Sequence, residues 1–223
     1  MGFLNWLFGK REEKHSGPSY LIEFRLFGYP KMRAKKLILH ISNKFRVHAV
    51  TRTRVVPHIT LFGPFTTSNE SDLVALFKNV CIRNCKNGIP TFNIEGFKYF
   101  EGEADKVIAL NVIPSKELKN YRWDLARQIK NITKGKPWDY REEYNFHATI
   151  AFRDIRQKWQ RIFNYLQCSD FKFHKLPVIR VTLLKGRRIL YEFDFIQKKL
   201  LTRNEAKSKV VYLRTLKMLK QVD

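Results

Sequence analysis

The tetrapeptide His58-Ile59-Thr60-Leu61 has a counterpart in His147-Ala148-Thr149-Ile150, and both read His, apolar, Thr, apolar. Each lies in a segment rich in β-branched and aromatic residues, 55–65 and about 145–152, which predicts a strand. On a strand, residues i and i+2 point to the same side. Each motif therefore presents an imidazole and a hydroxyl on one face, while Ile59, Leu61, Ala148 and Ile150 pack behind. One such motif on a strand is commonplace. Two copies at matching places in two similar halves constrain the fold far more.

The surrounding pattern shows the halves. Residues 20–27 read as a buried strand ended by Gly28 and Pro30. Leu37, Ile38, Ile41 and Phe45 follow at helical spacing over 31–47. After the first motif, 69–85 reads as a helix on Leu73, Leu76, Phe77 and Val80. Strands over 92–99 and 106–113 flank the turn-rich 101–105, and Ser115 is a candidate N-cap for the next helix. Past the second motif, 155–168 is expected to be helical, and 177–185 and 189–195 to be strands around Gly186. Strand, helix, His-bearing strand, helix thus occurs once in each half, the pattern of a pseudo-duplicated α+β body. That body is expected over 20–198. Residues 1–19 are set apart as an amphipathic segment and linker, and 199–223 as a basic helix.

Charge narrows the partners. The chain of 223 residues has 43 Lys and Arg against 20 Asp and Glu, a formal charge of +23. Such an excess draws polyanions by releasing their condensed counterions, so RNA or DNA ranks first and an anionic membrane surface second. Cys81, Cys85 and Cys168 have neither disulfide-framework nor zinc spacing, which points to a reducing cytoplasm and no structural metal. No Walker loop or dinucleotide fingerprint occurs, so no cofactor is expected. No apolar run is long enough to span a bilayer. Phe3, Leu4, Trp6, Leu7 and Phe8 either form one face of an interfacial helix that touches a membrane through residues 1–8, or dock on the body. The expected state is a cytoplasmic monomer.

The motifs carry the chemistry. A threonine hydroxyl donates to a nonbridging phosphate oxygen, and an imidazole gives or takes a proton at a bridging or attacking oxygen. Two pairs across a cleft would place a general acid and a general base on opposite sides of one phosphorus. His15, His40, His48 and His174 lack this context and read as ordinary histidines.

The paired motifs, with the first set in Pro57-His-Ile-Thr-Leu-Phe-Gly-Pro-Phe65, resemble those of the 2H phosphoesterase superfamily, which includes the 2'-5' RNA ligases, or RNA 2',3'-cyclic phosphodiesterases. The resemblance implies a bilobal, pseudo-two-fold α+β fold: two antiparallel sheets line a central cleft, helices lie outside, and no metal takes part. It implies that His58 and His147 are catalytic and that Thr60 and Thr149 bind phosphate. It also implies hydrolysis of an RNA 2',3'-cyclic phosphate to a 2'-phosphate, with reversible 2'-5' ligation. Ligase-like members often carry an arginine five residues past the second histidine; here that place is Phe152 and the arginine follows at Arg153. Arg153, Tyr144, Phe62 and Tyr20 are the further candidate substrate contacts. The competing readings are RNA 3'-end trimming and a non-catalytic RNA-binding protein that keeps the cleft.

Overall fold

The computed structural model describes residues 18–53, 56–102 and 106–221, so the apolar segment 1–8 lies outside the described residues. Along the first half run β1 (Tyr20–Arg25), α1 (Gly28–Phe45), α2 (Ala49–Thr53), β2 (His58–Thr67) and α3 (Glu70–Asn84). Next come β3 (Thr91–Glu101), β4 (Lys106–Pro114), α4 (Lys116–Ile129), β5 (Thr133–Lys134) and β6 (His147–Phe152). The chain continues through α5 (Trp159–Gln167), β7 (Lys172–Pro177), β8 (Arg180–Lys185), β9 (Arg188–Asp194) and β10 (Lys199–Thr202). Two helices close it, α6 (Arg203–Lys207) and α7 (Lys209–Leu219).

The strands form two sheets, in the orders β10-β9-β8-β1-β2-β5 and β6-β4-β3-β7. Every paired ladder is antiparallel, and one sheet curls into a half-barrel. The arrangement is two-lobed, with one motif at the start of β2 in the first sheet and the other at the start of β6 in the second. Strand alternation puts Ile22, Phe24, Ile59 and Leu61 into the core with Val181, Leu183 and Phe193. Helices α3 and α4 contribute Leu73, Phe77, Tyr121 and Leu125 to the same core.

The lobes exchange helices. α1 follows β1 of the first sheet but packs on β6 of the second; α4 follows β4 of the second sheet and reaches β2 of the first. Each motif strand is thus backed by a helix that leaves the opposite sheet. A shared core of this kind, close-packed as protein interiors are, holds the two motifs in a fixed relation.

Several elements depart from the pattern read in the sequence. Gly28 and Pro30 open α1 rather than merely ending a strand; proline is tolerated there because the N–H groups of a first turn have no helical acceptor. Helix α5 starts at Trp159, not at 155. The expected strand 177–185 divides, because residues 172–177 pair with β3 while β8 joins β1, and His174 lies within β7 rather than before a strand. Residues 199–223 are not one helix: they begin with β10 on the edge of the first sheet, and Ser208 ends α6 and caps α7 by accepting from Val211 N. The N-cap expectation at Ser115 is met, since its side chain accepts from Leu118 N.

Strand β2 holds the most informative irregularity. It pairs Thr60 with Glu23 but Phe62 with Ile22, so one extra residue is accommodated at Leu61 and Phe62. Both side chains become fully buried. Gly63 follows with φ 106°, and a Cβ there would stand 2.9 Å from the Phe65 ring and 3.1 Å from the Tyr20 carbonyl oxygen. Only glycine suits that position.

Candidate active site

The first residue of β2 and the first residue of β6 are the motif histidines. Their local geometry is the same. His58 Nδ1 lies 2.7 Å from the Val56 carbonyl oxygen, and His147 Nδ1 lies 2.7 Å from that of Asn145. A carbonyl only accepts, so each Nδ1 carries the proton and donates it two residues upstream. In a neutral ring that leaves Nε2 as the basic nitrogen. The sequence supplies this twice, because a residue starting a strand lies beside the carbonyl that enters it.

The histidines border one space. His58, His147 and Thr149 line a hollow of about 210 Å³, with Val56, Val107 and Phe152 among its apolar walls. Thr60 and His147 line an adjoining hollow of about 560 Å³ together with Phe100, Trp138, Arg141 and Tyr144. His147 belongs to both and joins them into a single cleft between the sheets.

The two rings are not electrostatically equivalent. Glu23, buried on the neighbouring strand, places Oε2 3.7 Å from His58 Nε2 while its Oε1 accepts from Arg25 Nε at 3.0 Å. A protonated His58 therefore has a counter-charge beside it. His147 has the opposite surroundings. Its ring meets Phe100 edge-on at 4.8 Å between centroids, and burial pushes its pKa down to about 4. The positive charges of Lys98 and His58 contribute to that lowering, and the hydrogen bond to the Asn145 carbonyl oxygen opposes it. Lys98 is half-buried and donates from Nζ to the Phe146 carbonyl oxygen at 2.7 Å; burial in turn lowers its own pKa.

A buried arginine shapes the far wall. Arg122 in α4 is 1% exposed and donates from Nε to the Leu61 carbonyl oxygen at 3.2 Å. Its other two nitrogens donate to the carbonyl oxygens of Asp139 and Arg141, and its guanidinium lies 4.0 Å from the Tyr144 ring centroid. Arg122 thus ties the motif strand β2 to the loop that carries Trp138, Arg141 and Tyr144 into the cleft.

Among the further candidates, only Tyr144 lines the cleft, and the Arg122 guanidinium covers one face of its ring. Phe62 is a core residue, edge-on to Phe65 and Tyr140. Tyr20 is buried as well, stacked on Phe65 with its hydroxyl donating to Glu70 at 2.6 Å. Arg153 ends the motif strand in the left-handed region at φ 66°, exposed, with its guanidinium over the Phe152 ring at 5.0 Å, and it lines neither hollow. Glu23 and Lys98 were missed by sequence reasoning, although each left a signal: a charge set among apolar strand residues, Glu23 in YLIEF and Lys98 in GFKYF. No group of three or more His, Cys, Asp or Glu side chains placed to hold a metal occurs among the described residues. No helix among them is long and apolar enough to cross a membrane.

A family model described as the 2'-5' RNA ligase superfamily matches residues 33–189, a stretch that contains both motifs, their strands, α4 and most of α1. The chain belongs to the 2'-5' RNA ligase superfamily. Among solved structures it is similar to Kluyveromyces marxianus Usb1, with a TM-score of 0.47 and 12% identity over 82% of this chain and 97% of that one. The structure of Kluyveromyces marxianus Usb1 with uridine monophosphate gives 0.45 and 13% over 83% and 98%. No curated protein matches the sequence. Membership in the superfamily makes RNA phosphoester chemistry the coarse function of the chain.

Proposed function

We propose that the protein is a metal-independent RNA phosphodiesterase that opens a 2',3'-cyclic phosphate to a 2'-phosphate, with His147 as general base and His58 as general acid. The observation that carries this reading is the shared hollow, lined by both imidazoles and by Thr149, with Thr60 in the adjoining space. His147 Nε2 takes a proton from a water that attacks phosphorus. His58 delivers a proton to the departing 3'-oxygen, with Glu23 as its counter-charge before transfer. The Thr60 and Thr149 hydroxyls donate to nonbridging oxygens, where negative charge grows. With an RNA 5'-hydroxyl in place of water as the nucleophile, the same two transfers break the P–O3' bond and form a 2'-5' linkage.

A synthetic RNA ending in a 2',3'-cyclic phosphate tests the proposal. The expected product carries a terminal 2'-phosphate, formed at the same rate with or without EDTA. A 3'-phosphate product, loss of activity on chelation, or no turnover each overturns it.

The base assignment has its own pH signature. A base must be unprotonated, and His147 takes up its proton only as pH falls through about 4. The acid limb of the profile, set by this base, is therefore expected near pH 4 rather than near 6.5, where an ordinary histidine titrates, while the alkaline limb belongs to the general acid. Lys98→Met removes one of the charges that hold this pKa down, so the acid limb moves to higher pH. The pH dependence of kcat/KM for both proteins measures this; an acid limb that does not respond to Lys98 removes His147 from the base role.

A further inference from the structure

The polar face of the first sheet continues beyond the motif. Residues directly opposed on antiparallel strands share a face. Arg25 stands opposite His58, Glu23 stands opposite Thr60 on one side and Thr182 on the other, and Thr182 stands opposite Glu192. This row crosses from β2 over β1 and β8 to β9, with neighbouring strands about 4.8 Å apart. At its far end α6 and α7 form a roof, which leaves a cavity of about 300 Å³ with Arg25 on the side nearest His58.

The lining is strongly cationic. Arg25, Lys31, Arg180, Lys207 and Lys209 face a single carboxylate, Glu192. That carboxylate is already engaged: Oε1 accepts from Thr182 at 2.7 Å and Oε2 from Arg180 at 3.2 Å. Arg180 is also bound to Asp194, and Arg25 to Glu23. Lys31, Lys207 and Lys209 remain, exposed and without an ion pair to any described residue. Half-buried Tyr212 supplies an aromatic wall, backed by the Arg180 guanidinium at 5.3 Å. The volume lies at the small end of the range for ligand pockets, of the order of 300 Å³ and more. Three unpaired ammonium groups beside an aromatic ring match one phosphate with its attached nucleoside.

We infer that this cavity is a second nucleotide subsite, in which Lys31, Lys207 and Lys209 hold a backbone phosphate of the RNA whose terminus reacts between His58 and His147, while Tyr212 contacts the base. It rests on the function proposed above. The subsite makes the enzyme favour a strand over a single nucleotide, because only a strand reaches from the motif strand to β9.

The test is the full chain carrying Lys31→Ala, Lys207→Ala and Lys209→Ala together, compared with wild type. Two substrates are used, a 2',3'-cyclic mononucleotide and a short oligoribonucleotide with the same terminus. The ratio of kcat/KM for the oligonucleotide over that for the mononucleotide is expected to fall about tenfold, mainly through KM. In parallel, fluorescence anisotropy follows binding of an oligoribonucleotide ending in a 2'-phosphate as salt is varied. The slope of log K against log salt is expected to become shallower by about 0.7, as for loss of one phosphate contact on a single strand. An unchanged ratio together with an unchanged slope overturns the subsite. If wild type turns over neither substrate, the proposed reaction fails instead, and the anisotropy arm alone decides the subsite.

Discussion

Alanine at His147 is expected to reduce kcat/KM by about 10²- to 10⁴-fold, and alanine at His58 by a similar factor, since each removes one positioned proton transfer. The double substitution is expected to cost much less than the product of the two losses. Once either proton transfer is absent, the other no longer has a concerted partner, and groups acting as a unit are strongly non-additive. Folding should survive. Both side chains are only half-buried and face the cleft, while the core contacts of β2 and β6 come from Ile59, Leu61, Ala148 and Ile150 on the opposite faces. Steady-state kinetics with a cyclic-phosphate RNA, alongside a urea unfolding curve for each variant, measures both statements. Full activity in the double variant would leave a basic RNA-binding protein with an unused cleft. A large drop in unfolding midpoint would instead attribute the lost activity to a lost fold.

The largest expected effect on stability lies elsewhere, at Arg180. Its side chain is 7% exposed, and it reaches Asp194 at 2.8 Å and Glu192 at 3.2 Å, carboxylates whose side chains are 0% and 8% exposed. It also donates to Thr215 at 2.7 Å, which fastens α7 to the sheet. Replacing it with methionine leaves two buried carboxylates without their shared counter-charge, and breaking a buried pair in this way costs about 3–5 kcal/mol. Against a total stability of about 5–15 kcal/mol for a typical domain, that is a substantial fraction. Urea unfolding of Arg180→Met should show the loss as a lower midpoint. A change below about 1 kcal/mol would mean that the network is solvated rather than buried. Replacing Arg180, Glu192 and Asp194 together by apolar residues should cost less than Arg180→Met alone, because no unpaired charge then remains.

Residues that act through their own strand were legible from the start. His58, Thr60, His147 and Thr149 could be paired because a strand has a period of two, and the tautomer-setting carbonyls lie only two residues upstream. Phe62 shows where that logic stops. Simple alternation places residue 62 on the same face as 58 and 60, toward the cleft, but the extra residue in β2 reverses the parity and sends its ring into the core. Arg153 was equally unreadable, because its direction depends on a left-handed backbone at the end of β6. Tyr20 could be identified as a strand residue but not as a partner of Glu70, fifty positions along the chain.

The sequence by itself determined the two motif strands, the α+β alternation around them and the family, because these depend on local periodicity and on residue types within a few positions. Only the tertiary structure decided which charge accompanies which histidine. Glu23 meets His58 through the β1–β2 register, and Lys98 meets His147 through the β3–β4–β6 register. Strand register is a property of long-range pairing, set by bulges and by the core that the lobes share through α1 and α4. The proposed division of labour between two chemically identical imidazoles is therefore a property of the folded chain.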